Sequence, residues 1–177
     1  MQQHKHILLL TGAPGVGKTT VIRRVAERLS GRQLGGFYTE EIRGGGTRQG
    51  FRLATFDGEE IVMAHIDYPN AQRVGRYGVD VSSIDDVATR VLGPDTDKDI
   101  YVIDEIGKME CLSVSFVKSM RVLFGSGKPV VATVAAKGSG LIADVKRRQD
   151  AELWRVTSAN RDDLPTKVVT WLDLLQG

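Results

Sequence analysis

Apolar positions fall into two alternating kinds of run. Three short blocks are almost continuously apolar and end at turn or acidic residues: 7–11 (Ile-Leu-Leu-Leu-Thr), 100–103 (Ile-Tyr-Val-Ile) and 129–134 (Pro-Val-Val-Ala-Thr-Val). Such blocks predict strands buried on both faces. Between them the apolar residues recur at helical spacing. Over 18–30, Val21, Ile22, Val25 and Leu29 share a face, while Arg23, Arg24 and Glu27 lie elsewhere and Gly31 offers a stop. Over 113–124 the buried set is Phe116, Val117, Met120, Leu123 and Phe124. A last helix from about Asp163 carries Leu164, Val168, Trp171, Leu172 and Leu175, with Pro165 tolerated in its first turn. Shorter helices are predicted near 83–92 and 141–148, and 151–157 reads as a fourth strand. In the first of these helices Ser83 is read as the cap, with Asp85 and Asp86 in the first turn and Gly93-Pro94 as the end.

The stretch 36–66 has another rhythm. Segments 36–43, 48–56 and 61–66 are rich in aromatic and β-branched residues, and Gly44-Gly45-Gly46 and Asp57-Gly58 separate them. That pattern predicts an antiparallel meander. Strands alternating with helices elsewhere predict an α/β fold, a mainly parallel sheet flanked by helices, with the meander as an extension. No repeat or linker divides the chain, so residues 1–177 are expected to form one domain.

Composition narrows the function classes. Of 177 residues 41% are apolar and 26% charged, with a formal net charge of +2. This balance disfavours nucleic acid and membrane surfaces as partners. Lys146-Arg147-Arg148 is a lone basic cluster and reads as a solvated helix end. Cys111 has no partner cysteine, and His4, His6 and His65 lack metal-ligand spacing. The first apolar run stops at Thr11, too soon to span a bilayer, so a cytoplasmic location is the default. The oligomeric state is not encoded in any recognisable pattern, and a monomer is the favoured reading.

Chemistry enters between the first strand and the first helix. Gly12-Ala13-Pro14-Gly15-Val16-Gly17-Lys18-Thr19 matches the phosphate-binding pattern G-x-x-x-x-G-K-[ST], and Thr20 follows it. Glycines let the backbone turn its amides inward around phosphate oxygens, at a helix start that already favours anions. Lys18 is expected on the β- and γ-phosphates and the Thr19 hydroxyl on Mg²⁺. A second nucleotide-facing segment is read at Ile100, Tyr101, Val102, Ile103, Asp104, Glu105, Ile106 and Gly107. There Asp104 is the expected metal ligand, through water, and Glu105 the group that orients or deprotonates an attacking water.

Taken together, these motifs resemble the cancer-related nucleoside-triphosphatase family, which also occurs in thermophilic prokaryotes. The resemblance rests on G-A-P-G-V-G-K-T-T at 12–20, G-F-Y-T-E-E-I-R at 36–43, R-Q-G-F-R at 48–52, V-G-R-Y-G-V at 74–79, D-E-I-G-K-M-E at 104–110 and N-R-D at 160–162. It implies a RecA-like fold and slow, magnesium-dependent hydrolysis of ATP, GTP and other nucleoside triphosphates to diphosphate and phosphate. It also implies that Lys18 and Thr19 hold phosphate and metal, Asp104 the metal and Glu105 the water.

Other positions read two ways. Arg43 and Arg48 flank the glycine turn and are either charge stabilisers or a solvated hairpin end. Lys108 and Glu110 either touch phosphate or form a charged loop. Asn160-Arg161-Asp162 either meets base and ribose or caps a turn. A sensor group at the end of the third buried strand falls to Thr133 or Lys137. The same loop also serves phosphotransferases and nucleotide-controlled binding modules, so the reaction class rests on whether Glu105 deprotonates water or an alcohol.

Overall fold

A computed structural model describes residues 4–94 and 97–177. The predictions touching 1–3 and 95–96 lie outside the described residues. In chain order the elements are β1 (Ile7–Thr11), α1 (Lys18–Arg28), β2 (Leu34–Gly44), β3 (Thr47–Thr55), β4 (Glu60–His65), β5 (Arg73–Val74), β6 (Tyr77–Val79), α2 (Val81–Val91) and β7 (Ile100–Ile106). A 3₁₀ turn (Glu110–Leu112), α3 (Val114–Gly125), β8 (Val130–Val134), α4 (Leu141–Val145), β9 (Ala151–Arg155) and α5 (Leu164–Leu175) follow.

Among the described residues all nine strands join one sheet in the order β5-β6-β4-β3-β2-β7-β8-β1-β9. From β2 to β9 neighbours run parallel, and from β2 to β5 they run antiparallel. The expected α/β fold with an antiparallel extension is present. Strand β2 differs from expectation, because it belongs to both halves. Leu34–Phe37 pairs parallel with Ile100–Ile103, and the same strand pairs antiparallel with β3 from Phe37 to Gly44. An aromatic, alternating segment such as 36–43 does not reveal which edge finds a parallel partner.

The alternation of β1 explains the layers. Leu8 and Leu10 pack with Ile100, Val102 and Val131 under α1 and α5, against Val21, Ile22, Val25, Val168 and Leu172. Ile7 and Leu9 face the other way with Tyr101, Ile103, Val130 and Ala132, against Ile84, Val87, Phe116, Met120 and Leu123 of α2 and α3. Each such fully buried side chain contributes about 1.5–3 kcal/mol of transfer free energy. That is why the continuously apolar blocks sit at the centre and cannot slip register.

Two predictions are corrected here. Helix α2 begins at Val81, and Asp80 is its cap rather than Ser83. The Asp80 carboxylate accepts from the Ser83 amide at 3.1 Å, while the Ser83 hydroxyl donates to it at 2.6 Å. A charged acceptor at the cap satisfies the helix amides better than the serine three residues on. Strands β5 and β6, of two and three residues, carry no periodicity long enough to predict. Among the described residues no helix is long and apolar enough to cross a membrane.

Candidate active site

Five parallel strands end on one side of the sheet, and the site is assembled there. The loop after β1 begins at buried Gly12, where a Cβ would lie 2.7 Å from the Val156 carbonyl oxygen. Gly17 takes φ of 109° and caps α1 with no side-chain acceptor for the helix amides. That conformation is costly for any residue with a Cβ. Unfilled amides at a helix start leave a site for an anion. Lys18 folds back across the loop and donates from Nζ to the carbonyls of Gly12 at 2.8 Å and Ala13 at 3.4 Å. Ala13, Pro14, Gly15 and Thr20 are exposed, and Val16 and Thr19 half-buried.

Asp104 lies near the end of β7 and is 1% exposed. Its Oδ1 accepts from the Thr133 hydroxyl at 2.7 Å, and Oδ2 accepts from the Thr39 hydroxyl at 3.3 Å and amide at 3.5 Å. The Thr19 hydroxyl faces it from the start of α1. Burial pushes the Asp104 carboxyl up, and these hydroxyls and the Thr39 amide pull it back down. Thus β8, β2 and α1 each bring a hydroxyl to one carboxylate. Hard oxygen donors suit Mg²⁺, and a sparse set suits an ion that otherwise keeps waters and substrate phosphates. Thr133, weighed as a sensor, faces Asp104 instead, and Lys137 is exposed.

Glu105 follows across a cis peptide and is half-buried. Burial raises its carboxyl above the usual range, the Asp104 charge adds to this, and Lys18 opposes it. The three groups named from the motifs therefore share one electrostatic neighbourhood. Ile100, Tyr101, Val102 and Ile103 expose no surface. They hold Asp104 in place from within the sheet rather than line the site. Ile106 and Gly107 are buried beside it.

Gly107 separates two acids. A Cβ there would lie 2.6 Å from Glu105 Oε1 and 2.9 Å from Glu110 Oε2, so any larger residue would have to displace both carboxyls. Glu110, at the head of the 3₁₀ turn, is 3% exposed, and burial followed by the Glu105 charge pushes it up to about 8. Its neighbour Cys111 is pushed up to about 12 by burial and the same two acids, which leaves the thiol inert. Lys108 is exposed. Thr39 and the burial of Glu110 escaped prediction, because neither follows from spacing along the chain.

The remaining candidates separate clearly. Arg43 pairs with Glu41 at 2.7 Å and Arg48 pairs with the same carboxylate, so both guanidiniums are held on the hairpin. Asn160 is structural: its Oδ1 accepts from the Thr157 amide at 2.8 Å and its Nδ2 donates to the Arg155 carbonyl at 2.8 Å. Arg161 reaches the phosphate loop, donating to the Val16 carbonyl at 3.2 Å. With Arg24, Asp162, Gly17, Thr20 and Val21 it lines a cavity of about 260 Å³ beside the loop. Arg24 pairs there with Asp162 at 3.3 Å.

The chain matches the family model described as NTPase over residues 7–169. It is 39% identical over 171 residues to "Nucleoside-triphosphatase THEP1" of Thermotoga sp. (strain RQ2), covering 96% of this chain and 97% of that protein. To the human "Cancer-related nucleoside-triphosphatase" it is 38% identical over 184 residues, covering 94% of this chain and 95% of that one. The crystal structure of THEP1 from Aquifex aeolicus superimposes with a TM-score of 0.85 at 33% identity, covering 94% of this chain and 98% of that chain. A matching phosphate loop, a matching fold and matches over nearly the whole length agree: the chain belongs to the NTPase family.

Proposed function

We propose that the protein hydrolyses nucleoside triphosphates to diphosphate and inorganic phosphate with Mg²⁺, slowly and with broad base tolerance. One observation carries this reading: Lys18, Asp104 and Glu105 converge beyond the carboxyl ends of β1 and β7, the two strands that flank β8, with Glu105 shaped electrostatically by both others. The names of the relatives point the same way.

Loop amides from Gly12 to Thr19 bind the phosphate oxygens, and Lys18 exchanges its two carbonyl partners for the β- and γ-oxygens. Glu105 accepts a proton from a water as the water oxygen attacks the γ-phosphorus, and the bond to the β–γ bridging oxygen breaks in line. Thr19 and Asp104 would hold the magnesium ion, which supplies charge neutralisation for the phosphates. Thr39 and Thr133 keep the Asp104 carboxylate oriented. Slow turnover is supported by Arg43 and Arg48 being tied to Glu41 rather than aimed at the phosphates. Broad base tolerance is supported by Arg24, Arg161 and Asp162, which border the cavity as exposed side chains. Every named group comes from one chain, so a monomer suffices, acting as one domain in a reducing cytoplasm that suits a lone cysteine.

Phosphate release measured with several triphosphates and Mg²⁺, no acceptor present, tests the reading. Glu105→Gln is expected to lose roughly 10²–10⁴-fold in kcat while binding nucleotide as the parent does. A parent that releases phosphate only when an alcohol or nucleotide acceptor is added would mark a phosphotransferase instead.

A further inference from the structure

Lys146 follows α4 and stands apart from the rest of its basic cluster. Arg147 pairs with Asp144 at 2.7 Å and Arg148 with Asp150 at 2.6 Å. Lys146 turns inward, half-buried, and donates from Nζ to the carbonyls of Ala135 at 2.6 Å and Ala136 at 2.9 Å. Those are the first two residues beyond β8. Lys18 makes the same pair of contacts to the first two residues beyond β1, Gly12 and Ala13.

The two strands are parallel neighbours, with Leu9 beside Ala132 and Leu10 beside Thr133. Gly12 and Ala135 are each the first residue beyond their strand. Adjacent strands lie about 4.8 Å apart, so two ammonium groups cap carbonyls just beyond the ends of neighbouring strands. Among the described residues Lys146 forms no ion pair. Burial and then repulsion from Lys18 hold its pKa below the ordinary lysine value. Two cations side by side, without a carboxylate on the second, favour an anion bound to both. An ammonium has three donors, and the two carbonyls engage two of them.

Sheet order decides which part of the ligand is met. Strand β8 lies between β1, which leads into the phosphate loop, and β7, which carries Asp104 and Glu105. A group over the end of β8 therefore stands between the strand ends that lead to Lys18 and carry Glu105. The terminal phosphoryl group is the part of a triphosphate that a diphosphate lacks. We propose that Lys146 is a further catalytic residue, donating to the terminal phosphoryl group and holding its charge during hydrolysis. The proposal rests on the hydrolase reading above. As the water oxygen bonds to phosphorus and the bridging P–O bond breaks, the water proton passes to Glu105. The electron pair of the broken bond stays on the diphosphate, and Lys146 remains protonated throughout.

Three measurements decide it. In steady-state phosphate release, Lys146→Gln is expected to lose roughly 10²-fold in kcat, as for removal of one transition-state donor. Lys146→Arg, which keeps the charge, should stay within a few-fold of the parent. In equilibrium titrations, Lys146→Gln should bind a fluorescent diphosphate like the parent and lose affinity only for a non-hydrolysable triphosphate. In amine labelling of the parent protein read by mass spectrometry, that triphosphate analogue should shield Lys146 and the diphosphate should not. Parental turnover in Lys146→Gln, an arginine variant no better than glutamine, equal loss of both affinities, or labelling unaffected by the triphosphate overturns the assignment. A parent without turnover removes the hydrolase reading, while the shielding result still decides the contact.

Discussion

Glu110 is 3% exposed, its carboxyl is raised to about 8, and it shares the space around Gly107 with Glu105. The ordinary glutamate value is about 4.3, so across the interval up to about 8 the folded chain binds more protons at this site than the unfolded chain. The associated stability is fully present below the ordinary value and is lost as pH rises through about 8. The melting temperature of the nucleotide-free protein should therefore fall from about pH 5 to 9, and Glu110→Gln should flatten that fall. Asp104 and Glu105 are raised as well and remain in both proteins, so the difference reports Glu110 together with its repulsion from these two acids. Parallel melting curves for parent and variant across this range would count against the burial account. At this scale the placement of Lys18 after the glycine loop and of Asp104 and Glu105 near a strand end was legible in the sequence, because loop chemistry and strand ends are dictated locally. Glu110 was ambiguous, since five residues of separation from Glu105 say nothing about which carboxyl turns inward.

Helix α2 shows how an element's boundary is decided. The Asp80 carboxylate is held well below the usual range, chiefly by the Ser83 hydroxyl against the opposing effect of burial, with Ser82 and the backbone amides adding to it. Asp80→Ala is expected to cost about 1 kcal/mol, the usual loss for a helix cap. In a chain of this size that is a fall of roughly 2–4 °C in melting temperature near neutral pH. Because the folded pKa is depressed, the contribution holds above the ordinary aspartate value of about 3.9 and disappears as pH falls through the lower folded value. Parent and variant should therefore converge in acid, and a constant gap there would contradict the capping role. Long amphipathic helices such as α1, α3 and α5 were legible from period alone. The start of α2, the short β5 and β6, and the double membership of β2 were not. The start of α2 turns on which of two nearby capping residues wins, β5 and β6 are too short to show a period, and the double role of β2 depends on partners distant in sequence.

At the scale of the molecule, loop, carboxylates and threonines meet only because β7, β8 and β1 lie side by side and point the same way. The ligand should then report on folding as a whole. With Mg²⁺ and a non-hydrolysable triphosphate at 100 times its Kd, the native state gains about 2.7 kcal/mol, a rise of several degrees in melting temperature. Chelating the metal should shrink that rise and Lys18→Ala should abolish it. An undiminished rise in that variant would remove the phosphate loop from the binding site.

The sequence by itself determined the α/β pattern, the phosphate loop and the acidic strand end, because all three are written in residues close together along the chain. Only the tertiary structure decided that Thr39 and Thr133 hold Asp104, that Glu110 lies behind Glu105, and that Lys146 stands beside Lys18. Apart from Glu105 and Glu110, those contacts join segments tens of residues apart, and strand order together with burial, neither of which has a local signature, brings them together.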